Sequence, residues 1–386
     1  MEKETQKFKL FYFFRYFGDA LFYPFMSIYF ISKGLGEGRM GIILAIIPVT
    51  TILVNPVWNY IAKDTRISQL ILKIMTVLEG LFIILITQVS TFEVYAILIA
   101  MIGVFCSPFI SIQDGFTATF TKENGMEFSA IRIYASIAYV IATTLAGIIA
   151  KYLNYEIMFM ASGVFFLLTS LVAMWIKPIH PAQDPAGPPK RDLKSLFRNK
   201  EFFKFLLFYT LVAGAVRVGD SFFGIFMTDL LGLGAIWYGV LYSGFVLVEV
   251  ITLRYMTLRG NLIDERKLFL IGTVAFLLRY LAFCFPLPLG VVIAFTMMRG
   301  LSWGIYIYAQ IRYISRIVKV ENITAAILIV TLFYSIFTAL GNLLGGWLIE
   351  TVGYYTFYIV QTVLIFLGLV SFLVFTPKIN PSQIKG

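Results

Sequence analysis

The chain has 386 residues, of which 59% are hydrophobic and 13% charged, with a mean hydropathy of +0.86 and a formal net charge of +10. It is too apolar for a soluble globular domain and too long for one buried helix, so a polytopic all-α membrane protein is expected. One histidine and two cysteines leave no material for a histidine-rich metal site or a disulfide framework.

A membrane-spanning helix needs about 20 apolar residues, because only a helix satisfies its backbone polar groups from within. Such runs lie at 8–32, 39–62, 70–89, 92–118, 129–151 and 155–177, then at 201–228, 236–257, 267–285, 289–312, 323–348 and 353–376. Twelve spans are therefore predicted, six on each side of the middle. The first is long, carries Arg15 and Asp19 and lacks a small-residue cleavage site, so it is read as a span rather than a signal peptide. Five of the 13 prolines fall between Pro178 and Pro189, followed by Lys190, Arg191, Lys194, Arg198 and Lys200, which marks a polar linker. The expected organisation is an N-terminal six-helix bundle over 1–177, a cytoplasmic linker over 178–200 and a C-terminal six-helix bundle over 201–386. Placing the N-terminus in the cytoplasm puts 23 of the 31 Lys and Arg on that side, five within spans, and only Lys33, Arg39 and Lys151 outside. This asymmetry predicts that both ends are cytoplasmic. The basic balance then reads as topology and lipid contact, with no nucleic-acid partner.

The two halves repeat one pattern. Arg15, Gly18 and Asp19 precede Gly34-Leu35-Gly36 and Gly41, as Arg217, Gly219 and Asp220 precede Gly232-Leu233-Gly234 and Gly239, at offsets of 201 (220 − 19) and 198 (232 − 34). Ala146-Gly147 near Tyr155 recurs as Gly345-Gly346 near Tyr354, at an offset of 199 (346 − 147). A duplicated hydrophobic unit with buried charge at its repeat is the pattern of secondary transporters.

Charge inside the membrane costs at least about 2.5–3.5 kcal/mol per group and is retained where it works. Ten such groups occur: Arg15, Asp19, Glu79, Asp114, Arg132, Arg217, Asp220, Glu249, Arg279 and Arg299, five of each sign. Arg15 and Asp19 are four apart and Arg217 and Asp220 three apart, so each pair shares a helical face. Each is either a local ion pair that holds its helix or a placement of Asp19 and Asp220 toward a central cavity as substrate or proton ligands. The fifth span carries a stripe of small residues for close helix packing, from which Arg132 and, two turns later, Tyr139 project on one face. A forked hydrogen-bond donor and a flat ring suit a sugar or a nucleoside, and Asp114 would accept hydroxyl hydrogens and hold Arg132. Cys106 and Cys284 read as packing residues, and His180 lies in the linker, so any proton carried must ride on a carboxylate.

Phe14-Arg15-Tyr16-Phe17-Gly18-Asp19-Ala20 leading to Pro24-Phe25, then Gly34-Leu35, Gly41-Ile42, Pro48 and Pro56-Val57-Trp58, resembles the opening of the lactose-permease-like branch of the major facilitator superfamily. Gly239-Val240-Leu241 through Glu249-Val250 and Arg299-Gly300-Leu301-Ser302-Trp303-Gly304 are similar to spans 8 and 10 of that group, which includes sugar, nucleoside and aromatic-acid permeases. Gln113-Asp114-Gly115-Phe116 through Glu127-Phe128 and Arg132 match the branch without gaps. The resemblance places Asp114 on a sugar-binding carboxylate, Arg132 on a sugar-binding arginine and Tyr139 on a stacking aromatic. It also places Asp220 on an acidic residue of span 7 and Arg279 on the arginine of span 9; from the residues themselves, Asp19 and Trp303 are expected to bind substrate and Asp220, Arg217, Arg279, Arg299 and Arg15 to form a charge network. Where the branch has a histidine and, three residues later, a proton-carrying glutamate, this chain has Arg299 and Ser302, so Glu249 is the expected carrier, with Asp220 and Asp19 behind it. The loop signature between spans 2 and 3 is worn, with Lys63, Asp64 and Arg66 remaining. Tyr334 stands where the branch has a lysine, and Tyr306, Tyr308 or Tyr334 could stack on cargo. Glu79 has no partner visible in the sequence.

The resemblance implies proton-coupled import of a small sugar or glycoside by two rocking six-helix halves, with no cofactor beyond the proton. Nucleoside import is the alternative, followed by efflux of amphipathic compounds. An enzyme would show a nucleophile, a metal-ligand set or an acid/base cluster near a membrane face, and a receptor would need a larger soluble module, so neither is expected. The chain is expected to sit as a monomer in a bacterial cytoplasmic membrane.

Overall fold

The structure is a computed structural model that describes residues 2–61, 65–177 and 193–375. Lys63 and Asp64, together with His180 and the proline-rich part of the linker, lie outside the described residues, as does the side chain of Arg66. Among those described there are α-helices and short helical turns but no strand. The helices are α1 Glu2–Phe22, α2 Met26–Ser32, α3 Glu37–Ile61, α4 Thr65–Ile86, α5 Phe92–Cys106, α6 Phe109–Glu123, α7 Ser129–Tyr152 and α8 Tyr155–Trp175. The short α9, Leu193–Arg198, falls inside the expected linker; then follow α10 Lys200–Ile225, α11 Ala235–Arg259, α12 Glu265–Phe283, α13 Leu289–Thr296, α14 Met298–Ile317, α15 Ile323–Val352 and α16 Tyr354–Phe375.

Each predicted span is occupied. Three are broken in the middle: α1/α2 at a 3₁₀ turn over Tyr23–Phe25, α5/α6 at Ser107–Pro108, and α13/α14 at Met297. Pro24 and Pro108 explain the first two, since a proline inside a helix removes a donor and clashes with the preceding turn. Ten helical segments are long and apolar enough to cross a membrane. The segments of α1–α2 and α12 are not among them, because Arg15 and Asp19 dilute the first, and Glu265, Arg266, Lys267 and Arg279 the second. Both still pack inside the bundle, α1 on α7 and α8, α12 on α14 and α16.

The packing repeats with the sequence. Within the first half α1 lies on α7 and α8, and α4 on α8; in the second, α10 lies on α15 and α16, and α12 on α16. Between halves, α3 packs on α15 and α7 on α11. Both crossings are made at glycines that the repeat had marked. A Cβ on Gly41 would stand 3.0 Å from the Cα of Gly346, and one on Gly239 would stand 3.2 Å from the Cα of Gly147. Gly41 and Gly239 are repeat equivalents, as are Gly147 and Gly346, so each half's glycine meets the other half's counterpart. Small residues at such a crossing let two backbones touch. Gly34 and Gly232 are also equivalent, and both adopt left-handed φ angles, of 83° and 70°, which glycine adopts without strain.

These crossings lie at the ends of the helices away from the termini. The amide of Asn342 donates to the Leu44 carbonyl (2.9 Å), the Tyr238 hydroxyl donates to the Pro24 carbonyl (2.9 Å), and Ser243 shares hydrogen bonds with the hydroxyls of Thr143 (2.5 Å) and Thr144 (2.8 Å). The two halves are therefore closed against each other on the face away from the termini.

Candidate functional site

The charged residues gather into two networks, one per half. In the first half α1 presents two faces. Tyr12 and Tyr16, four apart, stack at 6.0 Å with an interplanar angle of 7°. The Tyr12 hydroxyl donates to Asp114 Oδ1 on α6 (2.7 Å), and Arg132 on α7 donates through Nη1 to the Tyr16 hydroxyl (2.5 Å). Arg132 Nε lies 3.8 Å from Asp114 Oδ2, which closes a ring of four side chains. The guanidinium also lies over the Tyr16 ring at 4.9 Å. Asp114 and Arg132 keep 32% and 38% of their side-chain surface, so both can still meet a ligand. The sequence brought Asp114 and Arg132 together; it did not show Tyr12 and Tyr16, although their i, i+4 spacing was there to read.

The adjoining face of α1 is sealed. Arg15 Nη1 is 2.9 Å from Glu79 Oε2 on α4, and Nη2 is 3.2 Å from Asp19 Oδ1. Tyr23 donates to Glu79 Oε1 (3.0 Å), and the rings of Phe109 and Phe166 each lie 4.4 Å from the Arg15 guanidinium. Exposures of 2% for Arg15, 4% for Asp19 and 0% for Glu79 make this triad a buried neighbour of the ring. The local pairing of Arg15 with Asp19 is present, and Glu79 is the partner that sequence spacing left unnamed.

In the second half the local pair does not form. Asp220 on α10 accepts from Arg279 Nη1 on α12 (2.7 Å) and from Arg299 Nε on α14 (2.8 Å). Arg279 is fully buried, within 5.0–5.3 Å of the rings of Phe223, Tyr280 and Phe283. Arg299 lies 4.3 Å from the Phe245 ring and 3.8 Å from Glu249 Oε2 on α11. Glu249 retains 28% of its side-chain surface. Arg217, three residues before Asp220, is exposed and makes no ion pair among the described residues. Its electrostatic neighbours are Tyr334 on α15 and Tyr242 on α11, with Asp220 and Arg299 beyond.

Tyr139 on α7, two turns from Arg132, reaches the second network: its ring is 6.1 Å from that of Tyr242, which lies 4.3 Å from Phe245, the ring under Arg299. Trp303 packs edge-on against Phe276 at 5.5 Å and Tyr306 at 6.3 Å, with its indole N–H buried and unpartnered. Tyr306 is fully buried and hydrogen-bonds to Thr273, while Tyr308 accepts from Arg312 (2.9 Å). Of the three tyrosines considered for stacking, only Tyr334 is near the charged network. Ser302 is fully buried, Cys106 and Cys284 are buried and unbridged, and no group of His, Cys, Asp and Glu among the described residues could hold a metal ion.

The sequence model of the "MFS_1 like family" matches residues 5–360 of this chain. A maltose permease of Geobacillus stearothermophilus is 24% identical over 352 residues, covering 90% of this chain and 86% of that protein. A protein of Escherichia coli (strain K12) named "Probable 3-phenylpropionic acid transporter" is 24% identical over 287 residues, covering 72% of this chain and 73% of that protein. Among solved structures, the nucleoside transporter NupG superposes with a TM-score of 0.85 at 15% identity, covering 97% of this chain and 100% of that one, which establishes the fold.

Proposed function

Because this chain belongs to the MFS_1-like family of the major facilitator superfamily, we propose that its alternating-access cycle imports a small sugar or glycoside together with protons. It is a multi-pass membrane protein whose relatives are transporters, not enzymes. The observation that supports a hydroxylated cargo is the ring of Tyr12, Asp114, Arg132 and Tyr16, in which an accessible carboxylate and an accessible guanidinium stand 3.8 Å apart. Asp114 can accept from ring hydroxyls, Arg132 can donate two parallel hydrogen bonds, and Tyr139 offers a flat face across from Tyr242. The similarity to a maltose permease favours the same class.

In this proposal the rocking bodies are residues 1–177 and 201–386, joined by the linker. With both termini cytoplasmic, as the distribution of Lys and Arg favours, the glycine crossings close the outer face, and this is the inward-facing state. Glu249 carries the coupled proton: it is the accessible carboxylate of the second network, held by Arg299 at 3.8 Å, whereas Asp220 is locked between two arginines. The protein works as a monomer in the lipid bilayer and needs no cofactor beyond the proton.

The test is thermal unfolding of detergent-purified protein against sugars, glycosides, nucleosides and aromatic acids, beside Arg132→Ala. A ligand at a hundred times its dissociation constant stabilises by about 2.7 kcal/mol. Stabilisation by a sugar or glycoside that disappears in Arg132→Ala is expected; a response only to nucleosides, or one indifferent to Arg132, would overturn the cargo assignment. For coupling, Glu249→Gln in proteoliposomes is expected to exchange cargo but not to accumulate it against a gradient.

A further inference from the structure

We infer that Arg217 is an anion-binding subsite, and that the cargo is a glycoside bearing an acid group, a carboxylate or a phosphate monoester. The inference deepens the transport reading above and rests on it. It starts from a count of partners. Of the ten intramembrane charges, Arg15 is engaged by Asp19 and Glu79, Arg132 by Asp114, Arg279 by Asp220, and Arg299 by Asp220 and Glu249. Arg217 alone has neither an ion-pair partner nor a hydrogen bond through its guanidinium among the described residues, and it is exposed.

The repeat explains why it is free. Arg15 and Arg217 match within one residue of register with Asp19 and Asp220, at offsets of 202 (217 − 15) and 201 (220 − 19), and Glu79 corresponds to Arg279 at an offset of 200 (279 − 79). The charge at this third position is reversed between the halves. In the first half Glu79 reaches Arg15, 2.9 Å away. In the second, Arg279 takes Asp220 instead, at 2.7 Å, and Arg217 is left over. The second network then holds three arginines against two carboxylates. The excess carboxylate of the first half cannot compensate, because Asp19 and Glu79 are sealed at 4% and 0% exposure, and Asp114, the accessible one, is bound by Tyr12 and Arg132.

An uncompensated guanidinium within the membrane span is costly unless an anion or water meets it, and its planar fork matches a carboxylate or phosphate in two-pronged fashion. The hydroxyls of Tyr334 and Tyr242 are its leading electrostatic neighbours. Tyr242 also faces Tyr139, two turns along α7 from Arg132, so an acid group on Arg217 and hydroxyls on Asp114 and Arg132 would be the two ends of one bound molecule. The same positive excess disfavours a cationic cargo.

The experiment measures calorimetric affinity of the purified protein for phenyl glucoside, for phenyl glucuronide, for the phosphate monoester of phenyl glucoside, and for benzoate and phenyl phosphate without a sugar. Wild type, Arg217→Gln, Arg217→Lys and Arg132→Ala are compared. Arg217 holds no buried carboxylate, so its variants should fold, and unliganded melting temperatures check this. Wild type is expected to bind one of the acidic glycosides about tenfold or more tightly than the neutral one. Arg217→Gln should reduce the acid to the affinity of the neutral glycoside and leave the latter unchanged, while Arg217→Lys keeps part of the preference. Which acid responds separates carboxylate from phosphate. Equal affinity for acid and neutral glycosides in wild type, or a preference that survives Arg217→Gln, overturns the subsite; if neutral binding is still lost in Arg132→Ala, the glycoside reading stands without it. Arg217-dependent binding of benzoate or phenyl phosphate with no response to any sugar keeps the anion subsite and removes the glycoside. Binding of none of these compounds removes both.

Discussion

The two halves of this protein place charge at equivalent positions and use it differently. In the first half Arg15, Asp19 and Glu79 form a closed triad, and the accessible pair Asp114 and Arg132 meets Tyr12 and Tyr16 on the adjoining stripe of α1. In the second half Arg279 stands where the first has Glu79 and holds Asp220, while Arg217 is exposed and Glu249 keeps 28% of its side-chain surface. Duplication supplied one scaffold; a single change of sign turned one copy into a structural anchor and the other into an accessible charged surface.

That contrast can be broken most severely at Arg279. Arg279→Leu leaves Asp220 with Arg299 alone in a buried setting, and removing one partner of a buried pair costs about 3–5 kcal/mol. A large fall in thermal stability in detergent is expected. A fall no larger than that of a surface substitution would mean that Arg279 does not hold the second half together.

The glycine crossings should behave alike in both halves. A Cβ on Gly346 would stand 2.8 Å from the Cα of Gly41, and one on Gly147 2.9 Å from the Cα of Ile236. Gly346→Val and Gly147→Val are each expected to disfavour the closed face by about 1–3 kcal/mol. Maleimide labelling of a cysteine introduced at the buried Ser27 should therefore speed up in both variants. A response from one glycine only would show that the two crossings are not equivalent.

The smallest effects sharpen the comparison of the triad with its counterpart. Glu79→Gln leaves a neutral Arg15–Asp19 pair and keeps a side chain for Tyr23, so a loss of about 1 kcal/mol is expected. Arg217→Gln should move unliganded stability by no more than about 0.5 kcal/mol, since the side chain is exposed and unpaired. Unfolding of both variants under one set of conditions checks the order.

The membrane class, the twelve spans and the duplication were legible in the sequence, because apolar run length and repeat spacing are local properties that the bilayer enforces on each segment separately. The sequence also determined that Arg15 could meet Asp19, four residues on the same helix, and marked the glycines that became crossings. Composition alone was weaker for α1 and α12, whose buried charges mask the apolar signal. Only the tertiary structure decided the partners: Glu79 comes to Arg15 from α4, while Arg279 and Arg299 reach Asp220 from 59 and 79 residues away. Spacings of four and of three residues both allowed a local pair. Which one formed depended on the sign of the charge that a neighbouring helix brought within about 3 Å, where Coulomb attraction in a poorly solvated interior outweighs helical proximity.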